Sequence, residues 1–175
     1  MGYGARIQAL LDNTIPLTRS AFSRNAEART LEAEGAEALF PGARDAQAAL
    51  SGLLLLLGDW ERSHELSQDN PSREGSYWHA IAHRIEPDSS NAGYWFRRVG
   101  VHPIFAELQA KARAILGAHN PSGWRLKPAW DPLAFVVWCD EARVRPGTEA
   151  VAAAIQQAEW RLLFAWGALN ANDLP

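Results

Sequence analysis

The stretch "ALSGLLLLLGDW", residues 49–60, constrains the fold more than any other. Leu50, Leu53, Leu54 and Leu57 stand at core spacing, and the run from Leu53 to Leu57 leaves the end of the segment apolar nearly all round. A helix over about 44–57 with that pattern is stable only when other elements surround it. Five apolar residues in a row are far too few to cross a bilayer, so the surroundings must be protein. Gly58 suits the C-terminal cap of this central helix, and Asp59 is a natural N-cap for the next one, through Leu66.

The rest of the chain keeps a helical period, with no convincing strand alternation. Residues 3–12 form a short helix with Ile7, Leu10 and Leu11 inward. Residues 18–39 favour helix by their alanine and glutamate content. Helices follow over 74–86, 89–99 and 103–116, the last ending at Gly117. Asp131-Pro132 starts another, through "LAFVVWCDEAR", with a capping acid and proline at the first helical position. Thr148 is expected to cap the last, "EAVAAAIQQAEWRLLFAWGAL". The fold class is therefore all-α, one compact domain over 1–175 built from about seven or eight helices stacked as antiparallel hairpins. With 47% hydrophobic residues, the chain has enough apolar material for a core.

A formal charge of −3, with acids and bases interspersed, offers no basic surface for nucleic acid. One cysteine, Cys139, permits no internal disulfide and fits a reducing compartment. Without a signal-peptide pattern or a membrane span, a cytoplasmic protein without a membrane partner is expected.

The chemistry concentrates in "YWHAIAHRIEPDSSNAGYWFRRVG", residues 77–100. On a helix over 74–86, His79, His83 and Glu86 stand at i, i+4 and i+7 on one stripe. That stripe flanks the apolar arc of Trp78, Ile81, Ala82 and Ile85. On the next helix, capped by Asp88, Ala92, Trp95, Phe96 and Val99 form a core stripe. Asn91, Tyr94 and Arg98 form a separate polar face. If the two helices pair as a hairpin, both polar stripes border one groove.

Two histidines one turn apart can chelate a divalent metal ion, with Glu86 as a third ligand and His64, from "SHEL", as a fourth ligand or a base. The same His79, His83 and Glu86 are the candidate catalytic groups of a metal-free acid–base site. Asn91, Tyr94, Arg98 and Trp78 are the candidate binding groups for a polar or anionic small molecule. Two other readings stay open. Arg84 and Arg98 pair with Glu86 and Asp88 as a structural ion network, or the hairpin is a non-catalytic adaptor whose aromatics and arginines bind a peptide or protein partner. Cys139, on an apolar helix, reads as a buried inert thiol.

Two resemblances attach to these segments. "LLLLLGDWERSHELSQ" resembles the turn of a tetratricopeptide-type repeat, where an aromatic follows Gly-Asp; only two such units can be drawn. "WHAIAHRIEPDSSNAGYWFRRVGVHPIF" resembles a group of bacterial and fungal proteins sharing a His–Arg–x–Glu–x–Asp…Asn-Ala…Tyr-Trp-x-Arg core. Here that core is carried by His79, His83, Arg84, Glu86, Asp88, Asn91, Ala92, Tyr94, Trp95, Arg97 and Arg98. That likeness covers about 30 residues and implies no particular activity or cofactor.

Overall fold

The computed structural model describes residues 3–19, 26–119 and 124–170. Among them are ten helices and no strand, so the all-α expectation holds. The helices are α1 (Ala5–Leu10), α2 (Ala26–Glu34), α3 (Ala36–Leu39), α4 (Ala46–Leu56), α5 (Trp60–Asp69), α6 (Arg73–Ile85), α7 (Ser89–Val99), α8 (Phe105–His119), α9 (Pro132–Val144) and α10 (Glu149–Ala168). Residues 20–25 of the predicted 18–39 helix, and residues 120–123 between the predicted 103–116 helix and Asp131, lie outside the described residues.

The leucine-rich segment is the central helix. Every residue of α4 except Gln47 is buried, with α5, α6 and α10 packed around it. Asp45 caps it by accepting from the Ala48 N–H at 2.9 Å. Gly58 takes a φ of 80° after Leu57, a left-handed turn that glycine adopts without steric cost, and Asp59 caps α5 through the Arg62 N–H. Ser72 caps α6 and Asp88 caps α7, so α4–α5 and α6–α7 stand as successive antiparallel hairpins.

Three sequence expectations about helix ends are corrected. Gly35, at a φ of 83°, divides the predicted 18–39 helix between α2 and α3. Gly117 does not end α8, which continues to His119. The Thr148 hydroxyl donates backward to the Arg145 carbonyl at 2.8 Å, so it makes no side-chain cap for α10.

Helix α6 is enclosed more fully than an amphipathic pattern suggests, because everything from Gly75 to Ile85 is buried. Trp78 lies flat over Gly52 of α4 and edge-on to Trp160 of α10, deep in the core. It is therefore no part of a binding groove. A Cβ at residue 52 would stand 2.5 Å from the Trp78 ring. Gly52→Ala is expected to cost about 1–3 kcal/mol by overpacking, read as a lower urea midpoint with an unchanged slope.

Arg84 also departs from expectation. One residue on from His83, it points about 100° away around the helix. It crosses the core to Glu159 of α10 instead of pairing with Glu86. Tyr77 donates to the same carboxylate at 2.8 Å, and Arg84 Nε donates to Gln156 at 3.1 Å. Cys139 is buried near this network, and burial pushes its thiol up to about 12, an inert state.

The start of α6 is tied to the far end of α10. Glu74 accepts from the Trp166 indole N–H at 2.8 Å and faces His102 Nε2 at 3.4 Å. The Ile104 N–H donates to His102 Nδ1, which leaves the His102 proton on the nitrogen facing Glu74. His102 first, then Trp166, hold the Glu74 carboxyl down at about 2 against burial, below its ordinary 4.5. Because the folded value is the lower one, this stability is complete above about pH 4.5 and is lost as pH falls toward 2. It amounts to roughly 3 kcal/mol at most. The stability gap between wild type and Glu74→Gln is expected to shrink across that window in acid denaturant titrations.

Candidate metal centre

The two imidazoles of α6 meet a third from α5, not the polar stripe of α7. His79 and His83 turn toward α5, where His64 stands one turn after Trp60. His83 Nε2 lies 3.0 Å from His79 Nε2 and 3.3 Å from His64 Nε2. One ligand nitrogen from each ring falls within a sphere of contacts no wider than 4.8 Å. A tetrahedral ion bound at about 2.0–2.1 Å holds its nitrogens roughly 3.3 Å apart, close to the two spacings at His83 Nε2.

The outer nitrogens define which ring atoms carry hydrogen. His79 Nδ1 lies 3.2 Å from the His64 carbonyl oxygen, which only accepts, so Nδ1 bears the proton and Nε2 a lone pair. Ser67 donates to the same carbonyl at 3.0 Å and supports that ring from the side. His83 Nδ1 faces a carboxylate oxygen of Glu86 at 3.4 Å, an ion-pair distance without hydrogen-bond geometry. The bare Nε2 of His79 is then aimed at Nε2 of His83. A cation among the three would satisfy both short contacts at once.

Burial keeps His79 and His64 in the neutral form that ligates. His79 is pushed down to about 3, first by burial and then by the neighbouring His64 and His83. Burial and His83 lower His64 as well. His79 is 1% exposed and His83 8%, whereas His64 is half-buried, so the cluster opens at the His64 side. Two indoles wall that opening. Trp60 stacks on His64 with 4.7 Å between ring centres, and Trp95 of α7 lies 4.2 Å from His79. Arg19 sits over Trp60 at 4.1 Å, and Arg98 over Trp95 at 5.0 Å.

The residues picked from sequence divide accordingly. His64, His79 and His83 come together. Glu86 stands behind His83 as an outer partner, also paired with Arg19 at 3.2 Å, and is not beside the converging nitrogens. Asn91 is exposed and donates to Asp88 at 2.6 Å, at the cap of its own helix. Tyr94 is 49% exposed and touches the cluster only through the edge of Trp95. Arg98 reaches the rim by way of Trp95. Trp60, Ser67 and Arg19 join the site without being sequence candidates, and Trp95, expected in the core stripe or as an aromatic anchor for a partner, joins it as a wall. Trp60 and Ser67 share the His64 face by i, i+4 and i, i+3 spacing, a signal present in the sequence. Nothing local points to Arg19, which is 67 residues from Glu86.

No known family model, curated protein or solved structure significantly matches this chain. No helix among the described residues is long and apolar enough to cross a membrane.

Proposed function

We propose that the protein binds one divalent transition-metal ion on His64, His79 and His83, with a further coordination position open toward the His64 rim. The carrying observation is the convergence of one nitrogen from each of the three rings, with His83 Nε2 3.0 Å from His79 Nε2 and 3.3 Å from His64 Nε2. Imidazole donors suit zinc, copper, nickel and iron, and three of them with one open position make a centre that acts on a polar small molecule rather than a closed structural clamp. When bound, the ion supplies Lewis-acid polarisation at that open position. The chain itself orients two rings from behind, through the His64 carbonyl and Glu86, and shields the cluster with Trp60 and Trp95.

Metal analysis of untagged protein after equilibration with zinc is expected to show one ion per chain, lost in His79→Ala. Retention of the full zinc complement by His79→Ala overturns the proposal. Glu86→Ala, which removes the outer partner of His83, is expected to lower zinc affinity about 10–100-fold in chelator-competition titrations, leaving the stoichiometry intact.

A further inference from the structure

The charge balance of this centre indicates what occupies its open position. Three neutral imidazoles bring no negative charge, and two of them are buried. The nearest carboxylate, Glu86, approaches the far nitrogen of His83 and is engaged with Arg19. Glu61 also meets Arg19, at 3.4 Å, and Glu65 is paired with Arg62 at 2.7 Å. None of these acids is among the converging ligand atoms. A divalent ion there keeps its full double charge in partly desolvated surroundings, which is costly unless an anion joins it. Carboxylate-containing ligand sets avoid this by supplying the negative charge from the protein.

The rim favours the same class of ligand. Both indoles beside the opening carry guanidinium groups, Arg19 on Trp60 and Arg98 on Trp95, and the latter is exposed. Resting on the metal-centre reading above, we infer that the ligand at the open position is a compact oxyanion, a carboxylate or phosphate oxygen bonded directly to the metal, with Arg98 drawing it in. Neutral polar molecules of the same shape bind poorly because they leave the ion's charge uncompensated.

Cobalt(II) provides the test, since its visible absorption reports both that the ion is bound and what fills its coordination shell. Cobalt-loaded protein is titrated separately with acetate, inorganic phosphate and the neutral acetamide at low ionic strength. The expected result is a saturable spectral change with acetate or phosphate and none with acetamide at equal concentration. Arg98→Ala should weaken the anion response severalfold, an effect diminished by added salt. A normal cobalt spectrum that ignores both anions, or answers acetamide equally, overturns this inference and leaves the metal site standing. Absence of a protein-bound cobalt spectrum overturns both.

Discussion

Glu159→Ala is expected to destabilise the fold by about 3–5 kcal/mol, the largest effect of any single substitution considered for this chain. Arg84 and Glu159 are both fully buried, and the guanidinium has no water to turn to if its partner is removed. Its Nη1 has no hydrogen-bond partner among the described residues, so Glu159 supplies the compensation that holds the charge in the core. Stacking near Phe135, 4.6 Å from the guanidinium carbon, offsets only part of that cost. Tyr77 would lose its acceptor as well. Glu159→Gln keeps an acceptor for Tyr77 and is expected to cost less. The double substitution Arg84→Met with Glu159→Leu should recover most of the loss, because burying neither charge is cheaper than burying one. Urea denaturation of the three variants checks this ordering. A loss below about 1 kcal/mol in Glu159→Ala contradicts it.

The second large effect is metal-linked stabilisation. An ion that binds only the folded state at a free concentration 1,000 times its Kd adds about 4 kcal/mol. For a chain of this size, that raises Tm by roughly 10 °C. The increase is expected to vanish in His83→Ala, whose imidazole faces both other rings. Without metal, His83→Ala is expected to melt within a few degrees of wild type, since the substitution also removes a ring nitrogen crowded by two others. Thermal melts with and without zinc separate this from a purely structural cluster. If the histidines only braced α5 against α6, His83→Ala would lower the metal-free Tm strongly, and zinc would shift both proteins alike.

How much of this was legible in the sequence varies by residue. The buried α4 follows from Leu50 and the Leu53–Leu57 run, because an all-round apolar helix has one stable location. The i, i+4 spacing of His79 and His83 places them on one face, and "SHEL" offers His64 as a candidate ligand or base. Which neighbour that face meets was not legible. Periodicity separates a wet side from a dry one, and α6 is dry on nearly every side, so Trp78 and the histidines both looked compatible with a groove against α7. The polar stripe of α7, Asn91, Tyr94 and Arg98, is instead largely a solvent face. Trp95 was read as core, whereas it is half-buried as the wall over His79. Arg84–Glu159 and Arg19–Glu86 span 75 and 67 residues, distances at which spacing carries no information about pairing.

Diffraction from zinc-soaked crystals, with data collected on both sides of the zinc absorption edge, tests the central claim most directly. A single anomalous peak is expected about 2.0–2.1 Å from Nε2 of each of His64, His79 and His83, with Glu86 outside the coordination shell. No peak among the three rings, or one bound through Glu86 and exposed acids instead, would contradict it.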